Sequence, residues 1–589
     1  MNKSLIVVLF LIFQYVISHP YLIEKKGSRK VVYEDEQLGF NVKCSSCVAA
    51  LSFMSFIVKA DASVPVILEF AKVVCKIFAK QSWVVCDGIS NQFKEEFFYV
   101  FRRLSSSSAS EVCGILLPDC ADPSDKSQSG WEVELPPKPK IRVKSRQSKK
   151  GRNGKKLRVL QLSDLHIDYE YLPGSEAYCA LPVCCQTMTK NPTKPAGYWG
   201  TSGDCDVPLH TLKHMIEHIK ATENIDYIMM SGDFLNHVDW KYSKELHMNG
   251  IHNISSMLKQ VFPETPIYWA IGNHEGVPVN SFAPHFVTEE KFLPTWLYET
   301  ITNVSNPWLN EEAVKTNNYR GSYSSYPAKG LKLISLNTGY CETTNFFLYL
   351  NQSDPDGTMS WLVSELYESE KIGEAVHIMA HIPPGDDECL EGWARNYYRI
   401  VQRFSQTIVG QFFGHVHLDY FIMFYENMND PSSKPVGVAY SSPSVTTFSN
   451  MNPAYRVYTI DPSNNFKVDD IDNYWTDVDM ADEQNPPVWN KLYSAKDAYG
   501  LKDFSPDSWN TVMKNLLVDE ELRKQFVRYS YRKEKNNCNF MCQNSLMCQI
   551  RSGHHNMSSL CMSEKAHERY NSYQLGDDQS YLQNNRIPK

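Results

Sequence analysis

Short apolar segments that lead directly into polar, chemically active residues recur through the middle of the chain and constrain its fold. Six such segments are predicted strands: Leu157–Leu162, Asp226–Met230, Ile267–Ile271, Leu331–Leu336, Val376–Met379 and Gly410–Phe413. Strands that are apolar on both faces indicate a sheet covered by helices. Longer stretches with helical periodicity separate them, so the pattern predicts an α/β fold with polar loops gathered at the strand ends.

Five of these segments are followed at once by short motifs rich in His, Asp and Asn. The motifs are Ser163-Asp164-Leu165-His166, Ser231-Gly232-Asp233, Gly272-Asn273-His274-Glu275, Ala380-His381-Ile382-Pro383 and Gly414-His415-Val416-His417. A single Asp-x-His arises by chance about once in a chain of this length, but all five in this order do not. Carboxylate and amide oxygens combined with imidazoles suit divalent cations such as zinc.

In order and residue type, the five motifs resemble the calcineurin-like metallophosphoesterase family. The resemblance implies an α/β β-sandwich flanked by helices, with two Zn²⁺ ions as cofactors. One ion is then held by Asp164, His166, Asp233 and His417. The other is held by Asp233, Asn273, His381 and His415. Asp233 is shared.

Such a metal pair clamps a phosphate and activates a bridging water as the nucleophile of an in-line displacement. The departing alkoxide still needs a proton. His274 follows a ligand but lies outside the ligand set, so we predict that it is the general acid. His237 is predicted to orient the phosphate, and the two roles are exchangeable. The alternative for each is a purely structural histidine.

The N-terminus predicts entry into the secretory pathway. Residues 1–18 combine a short basic start, an apolar run from Leu5 to Ile17 and a small residue at position 18, which is typical of a signal peptide. A buried N-terminal helix is the alternative. No internal apolar stretch reaches 18 residues, so no transmembrane segment is predicted. The expected location is secreted, lysosomal or both.

Charge and cysteine content agree with that location. With 59 basic and 67 acidic residues the formal charge is -8, which excludes a general nucleic-acid binder. Sixteen cysteines in an oxidising compartment indicate disulfides rather than zinc clusters. Four sequons predict N-glycosylation, at Asn253, Asn303, Asn351 and Asn556.

Residues 40–121 carry six cysteines and stretches with helical spacing, including Val64–Phe78 and Phe97–Leu104. The spacing of these six cysteines, with two close together first, two in the middle and two late, resembles that of the saposin family. The resemblance implies a helical, lipid-interacting domain with the pairs Cys44–Cys120, Cys47–Cys113 and Cys75–Cys86. A stapled helical bundle with an ordinary core is the alternative.

Three further regions complete the chain. Residues 122–156 form a Pro-rich and basic linker, predicted to be a semi-rigid spacer, with attraction to anionic lipid as a second hypothesis. The catalytic domain is expected over residues 157–484. Residues 485–589 are predicted to be a helical C-terminal region that holds four cysteines and no catalytic motif.

This order of units resembles the acid sphingomyelinase family. Segments that carry the likeness include Gly197-Tyr198-Trp199-Gly200, His381-Ile382-Pro383-Pro384-Gly385 and Phe412-Phe413-Gly414-His415. The resemblance implies hydrolysis of sphingomyelin to ceramide and phosphocholine at a sphingomyelin-containing membrane. It also implies the bridges Cys179–Cys184, Cys185–Cys205, Cys341–Cys389, Cys538–Cys542 and Cys548–Cys561. The linker departs from the family pattern because it is more basic than Pro-rich.

Two other functions remain open at this point. One is a secreted metallophosphodiesterase that acts on nucleotides or other phosphodiesters, and residues 40–121 argue against it. The other is a non-catalytic, saposin-type lipid-presenting protein with an inactive catalytic module. An intact ligand set argues against that second alternative.

Overall fold

The computed structural model describes residues 47–49, 51–52, 55–56, 58, 64–104, 108–116, 129–139, 155–532 and 538–554. The predicted signal peptide and much of the predicted linker lie outside these ranges. So do Cys44, Cys120, Cys561 and the sequon residue Asn556.

Two six-stranded sheets form the centre of the described part of the chain. Their strands are β1 Leu157–Leu162, β2 Tyr227–Met230, β3 Ile267–Trp269, β4 Tyr323–Ala328, β5 Leu331–Ser335, β6 Ala375–Met379, β7 Ile408–Phe413, β8 Tyr420–Tyr425, β9 Pro435–Ser441, β10 Ala454–Asp461, β11 Lys467–Trp475 and β12 Asn490–Ser494. The first sheet has the order β12-β11-β10-β1-β2-β3 and the second the order β4-β5-β6-β7-β9-β8. Each of the six predicted strands is present.

Parallel pairing brings the active loops to one edge of each sheet. Strands β1, β2 and β3 run parallel in the first sheet. Strands β5, β6, β7 and β9 run parallel in the second. Because parallel strands end at the same edge, the loops after β1, β2, β3, β6 and β7 can meet in one crevice.

Helices account for most of the remaining described chain. They are α1 Val64–Phe78, α2 Trp83–Arg103, α3 Ser108–Leu116, α4 Leu209–Thr222, α5 Lys244–Val261, α6 Thr295–Ser305, α7 Glu311–Arg320, α8 Thr358–Ile372, α9 Glu391–Arg403, α10 Ala495–Ala498, α11 Pro506–Val518, α12 Glu520–Tyr531 and α13 Phe540–Gln549. No helix of the described residues is long and apolar enough to cross a membrane.

Alternate residues of the first sheet point to two different cores. Val159 and Met229 belong to the large core shared with the second sheet, where the rings of Phe412 and Tyr458 make an edge contact at 4.7 Å. Their neighbours on the other face, such as Leu160, pack under helices α4, α5 and α6. Burial on both faces explains why these strands are apolar at successive positions.

Six disulfides join described cysteines, and all six are among the eight pairs that the resemblances imply. They are Cys47–Cys113, Cys75–Cys86, Cys179–Cys184, Cys185–Cys205, Cys341–Cys389 and Cys538–Cys542. Cys548 is also disulfide-bonded. Cys75–Cys86 joins helix α1 to α2, and Cys47–Cys113 ties α3 to the chain before α1. Buried side chains of α1, α2 and α3 form one cluster with Ala283, Val287 and Phe346 of the catalytic region.

The described part of the linker is packed rather than free. Over residues 129–139 it runs along helix α9, where the Asn396 side chain accepts from the amide of Val133 at 2.8 Å and donates to Trp131 O at 2.9 Å. Arg403 donates to Pro136 O at 2.7 Å. The spacer predicted for this segment is therefore anchored to the catalytic region.

The C-terminal region, predicted to be helix-rich from residue 485, also contains a strand. Strand β12 pairs with β11, so the first sheet continues to Ser494. Its sequence, Asn-Lys-Leu-Tyr-Ser, is polar because it is an edge strand, in which only Tyr493 is buried. Helices α11 and α12 then pack on the second sheet, with Trp509 against Phe421 at 4.5 Å between ring centroids.

Candidate metal centre

The seven predicted metal ligands lie in the loops that follow β1, β2, β3, β6 and β7, and the structure brings all seven together. Asp164, His166 and His381 are fully buried. Asp233, Asn273 and His417 are less than one tenth exposed, and His415 is nearly as buried. The strand ends therefore deliver oxygen and nitrogen donors from distant parts of the sequence to one crevice.

Five of these seven residues have left-handed backbone conformations. The φ angles lie between 42° and 73° for Asp164, His166, Asp233, His415 and His417. Non-glycine residues adopt this region at a cost, and such strain clusters at functional sites because the surrounding structure holds it. The motif glycines allow the close approach: a Cβ on Gly414 would collide with Ser163.

The first predicted ion position is bounded by two imidazoles and two carboxylates. His166 Nε2 and His417 Nε2 face each other at 3.2 Å. Asp164 Oδ1 lies 3.6 Å from His417 Nε2, and Asp233 Oδ2 lies 3.5 Å from His166 Nε2. Because Zn–N and Zn–O bonds are about 2.0–2.2 Å long, donors at this spacing can share one ion.

The second predicted position has the same character. His381 Nε2 lies 3.0 Å from Asp233 Oδ2 and 3.0 Å from Asn273 Oδ1. His415 Nδ1 lies 3.0 Å from the same Asn273 oxygen. Asp233 belongs to two possible metal-binding groups, one with Asp164 and His166 and one with His381 and His415, so its carboxylate could serve both ions.

Hydrogen bonds behind these imidazoles fit a metal. His166 Nδ1 contacts Leu235 O at 2.9 Å, and His381 Nδ1 contacts Ser231 O at 2.7 Å. A carbonyl oxygen can only accept, so each Nδ1 carries the proton and each Nε2 presents a lone pair to the crevice. Neutral imidazole with its other nitrogen bonded to a carbonyl is the usual state of a metal-bound histidine.

Two further groups orient the remaining donors. Asn273 Nδ2 donates to Asn280 Oδ1 at 2.9 Å, which leaves Asn273 Oδ1 facing the crevice. Glu275 accepts from the backbone amides of Asp233, Phe234 and Gly272 at 2.8–2.9 Å and so ties the β2 and β3 loops together. Burial, together with the nearby Asp233 charge, raises the pKa of Glu275 to about 7.

His415 has carboxylates behind it instead of a carbonyl. Its Nε2 lies 3.3 Å from Glu388 Oε2 and 3.7 Å from Asp386 Oδ1. A carboxylate accepting from Nε2 leaves the Nδ1 lone pair for a metal. The Cys341–Cys389 bridge fixes the chain immediately after Glu388.

The chain matches two family models. Residues 157–419 match the calcineurin-like phosphoesterase family. Residues 434–568 match the acid sphingomyelin phosphodiesterase C-terminal region.

Three relatives extend this likeness over most of the chain. Sphingomyelin phosphodiesterase 1 of Caenorhabditis elegans is 56% identical, over 90% of this chain and 94% of that protein. Sphingomyelin phosphodiesterase of Homo sapiens is 35% identical, over 88% and 83%. Acid sphingomyelinase-like phosphodiesterase 3b of Homo sapiens is 28% identical, over 66% and 86%. The chain belongs to the sphingomyelin phosphodiesterase family. It is an enzyme of the calcineurin-like phosphoesterase type.

His274, the predicted general acid, lies beside the seven predicted metal ligands. Its Nδ1 lies 2.8 Å from Tyr242 Oη and 3.3 Å from Asp239 Oδ1. Burial alone would lower the pKa of His274, but the charges of Asp233 and Asp239 outweigh it and raise the pKa to about 10. His274 therefore has partners that hold its ring and favour its protonated form.

His237 is even closer to the predicted ligands. Its ring stacks on His166 with 3.7 Å between centroids and, on its other face, on Phe448 at 4.1 Å. Its Nδ1 lies 2.8 Å from Asp206 Oδ1, and its backbone amide donates to Asp206 Oδ2 at 2.8 Å. His237 also forms a possible metal-binding group with His166 and His417.

Several side chains that support the site were not predicted. Those that contact a predicted site residue are Asp206, Asp239, Tyr242, Asn280, Glu388 and Arg532. Arg532 belongs to the C-terminal region, in which no catalytic motif was found, yet its buried guanidinium donates to His417 O at 2.8 Å and to Ser444 Oγ at 3.0 Å. Glu275 lies inside a motif and could have been assigned from it, but the other residues carry no local signal.

Proposed function

We propose that this enzyme hydrolyses sphingomyelin to ceramide and phosphocholine with two Zn²⁺ ions. The observation that carries the proposal is the convergence of seven donors, with their lone pairs directed inward, in a chain of this family. Asp164, His166, Asp233 and His417 would hold one ion. Asn273, His381, His415 and the shared Asp233 would hold the other. When bound, such a pair supplies Lewis acidity and lowers the pKa of a coordinated water.

The proton on the leaving oxygen is assigned to His274. A water oxygen replaces the ceramide oxygen on phosphorus, and the ceramide oxygen takes a proton as its P–O bond breaks. An alkoxide leaves poorly without that proton, so a positioned acid contributes roughly 10²–10⁴-fold. Tyr242 and Asp239 hold His274 Nδ1, which leaves Nε2 to face the leaving group.

His237 is assigned to the phosphate itself. Asp206 accepts from its Nδ1, and contact with a phosphate oxygen is assigned to Nε2. The stacked rings of His166 and Phe448 fix the plane of the imidazole. Exchange of the acid and orienting roles between His237 and His274 stays compatible with these contacts.

Contact with the lipid surface is assigned to residues 40–121. Within the described residues of this unit, large apolar side chains are exposed on or beside α1 and at the start of α2: Phe56, Val73, Ile77, Trp83 and Val84. Exposed apolar groups concentrated in one unit mark an interaction surface. The basic linker would add attraction to anionic lipid.

A secreted or lysosomal location agrees with this assignment. Six disulfides join described cysteines, and such bridges persist in oxidising compartments. The sequon residues Asn253, Asn303 and Asn351 are exposed, as glycosylation requires.

The test is release of phosphocholine from sphingomyelin vesicles by the purified chain, combined with metal analysis. We expect two zinc ions per chain, loss of activity with a chelator and recovery with added Zn²⁺. The His274→Ala variant should keep both ions and lose most of the activity. Faster hydrolysis of nucleotide diesters than of sphingomyelin would favour the alternative substrate class. Binding of sphingomyelin without turnover would favour a lipid-presenting protein.

A further inference from the structure

A short turn lies between the N-terminal helices and His274. It consists of a 3₁₀ turn over Asp239–Lys241 and the following Tyr242. Asp239, Trp240 and Tyr242 are each at most 5% exposed. One side of the turn therefore faces the candidate metal centre, and the other side faces the N-terminal helices.

On the active-site side, the turn determines how His274 is held. Tyr242 Oη lies 2.6 Å from Asn236 O and also hydrogen-bonds the Asp239 carboxylate; both groups can only accept, so the single hydroxyl proton is donated to one of them. The same hydroxyl lies 2.8 Å from His274 Nδ1 and must accept from it. Asp239 Oδ1 approaches this nitrogen at 3.3 Å. The proton of Nδ1 is thus fixed, and Nε2 is the atom left for substrate.

On the opposite side, helix α2 supports the turn. Gln92 Nε2 donates to Tyr242 O at 2.7 Å. Gly88 packs so closely that an added Cβ would collide with the Trp240 carbonyl and lie 2.6 Å from Trp240 Cβ. Val85 completes the contact in a small apolar cluster with Trp240.

One face of α2 makes all these contacts. Val85, Gly88 and Gln92 follow one another at spacings of three and four, which places them on the same side of a helix. Glu96 continues the row by four and accepts from Ser281 Oγ. Ser281 follows Asn280, whose Oδ1 accepts from Asn273 Nδ2 at 2.9 Å. The same helix face therefore supports both the proton donor and a predicted metal ligand.

We propose that helix α2 is a positioning element of the catalytic site, acting through the Asp239–Tyr242 turn to hold His274. This role rests on the proposed function of His274 as proton donor, and it is separate from contact with lipid. Loss of the α2 contact would then slow hydrolysis of a small, water-soluble phosphodiester that never meets a membrane. The loss would appear in kcat rather than KM, because a proton donor acts on the leaving group and not on substrate binding.

The decisive readout is dependence on the leaving group. A soluble diester with an alkyl leaving group needs the proton of His274, whereas a p-nitrophenyl diester releases a stabilised anion and needs it much less. Gly88→Ala should push α2 off Trp240 although alanine is the better helix former. We expect kcat for the alkyl diester to fall about 5- to 20-fold and kcat for the p-nitrophenyl diester to change less than about 2-fold.

Gln92→Ala provides a second variant that removes only the bond to Tyr242 O, with an expected loss of about 3- to 10-fold on the alkyl diester. Asn91→Ala is the matched control, because this exposed neighbour donates within the helix to Asp87 at 3.1 Å. In a His274→Ala background, neither Gly88→Ala nor Gln92→Ala should add a further selective loss.

Equal losses on both diesters, or no loss with either α2 variant, would overturn the positioning role. So would a selective loss that persists in the His274→Ala background. A different result identifies failure of the proposed function instead: His274→Ala alone would then lower both diester activities equally. Thermal unfolding of each variant checks that the chain is folded. If Gly88→Ala does not fold, Gln92→Ala, at a half-buried position, carries the test alone.

Discussion

The imidazoles of the crevice are held in two different ways. The predicted ligands His166 and His381 are fixed by backbone carbonyls of the adjacent β2 loop. His237 and His274 are fixed by side chains, Asp206 for the first and Tyr242 with Asp239 for the second. A ligand ring held by main chain keeps its orientation whatever the neighbouring side chains are, whereas the orientation of the other two rings depends on single residues.

This difference has a consequence for catalysis. The donors must stay rigid and deprotonated toward the ions, which backbone carbonyls ensure for His166 and His381. A proton donor and a phosphate contact must instead be tuned in charge and position, which carboxylates and a hydroxyl can provide. We therefore expect substitutions among the ligands to lower the number of bound ions, and substitutions around His237 and His274 to lower turnover with the metals retained.

The largest effect is expected for Asp233→Asn. An amide cannot bridge two cations as a carboxylate does, and the substitution removes a charge placed 3.0 Å from His381 Nε2 and 3.5 Å from His166 Nε2. We expect at most one ion per chain instead of two, and a fall in kcat/KM of about 10³-fold or more. Metal analysis and phosphocholine release measure the two quantities on one preparation.

Asp168→Asn is the matched control for this change. Asp168 is a buried carboxylate near the site that accepts from Asn236 Nδ2 at 2.8 Å and from Gln186, and it lies outside the donor set. Its substitution should leave the ion content at two. Retention of both ions by Asp233→Asn would remove the bridging assignment.

The ligand side of the site could be predicted because its information is local. Each ligand directly follows a strand, and β1 occupies the predicted span from Leu157 to Leu162. Helix α1 likewise occupies the predicted span Val64–Phe78, because its apolar periodicity is uninterrupted. The apolar runs therefore predicted the strands, and the motifs that follow them, through their resemblance to a known family, implied the donor set.

The side chains that hold His237 and His274 could not be predicted, because these contacts join residues that are distant in the sequence. Asp206 lies 31 positions from His237, and Tyr242 lies 32 positions from His274, with no motif at either partner. Gln92 reaches Tyr242 O across 150 positions. Strand β12 was missed for a related reason, since an exposed edge strand lacks the apolar pattern that marks a central one.

A smaller effect is expected for Asp206→Asn. The amide can present its NH₂ group to His237 Nδ1 and so favour the tautomer with the proton on Nε2, away from Asp206. We expect kcat to fall about 10- to 100-fold while two ions remain bound. Steady-state kinetics with a soluble diester and metal analysis of the same sample test the prediction.

Thr446→Val is the comparison for Asp206. It removes the second bond to Asp206 Oδ1, at 2.8 Å, without changing the carboxylate. Its loss in kcat should be several-fold smaller than that of Asp206→Asn. Equal losses would mean that packing around Asp206, rather than its control of the His237 proton, determines turnover.

The smallest effect is expected in stability rather than catalysis, at the face where α2 meets the catalytic region. Glu96 is 2% exposed, and burial raises its pKa from 4.5 to about 8. A carboxyl group whose pKa is higher in the folded state holds its proton there after the unfolded chain has released it. Its contribution to stability is therefore full below about pH 4.5 and is lost as the pH rises to about 8.

Glu96→Gln should flatten the fall in thermal unfolding temperature over this pH range, because a neutral amide replaces the group that titrates. Its neighbour supplies a control of opposite sign. Glu95 pairs with Lys291 at 2.7 Å, and this bond lowers its pKa from 4.5, so Glu95→Gln should lower stability slightly above that pH, and the difference should vanish as the pH falls through the acidic range. The two substitutions are one position apart on α2, yet only Glu96 faces the catalytic region from a buried position. An unchanged pH slope in Glu96→Gln would mean that Glu96 is not the group whose titration weakens this face of α2 as the pH rises.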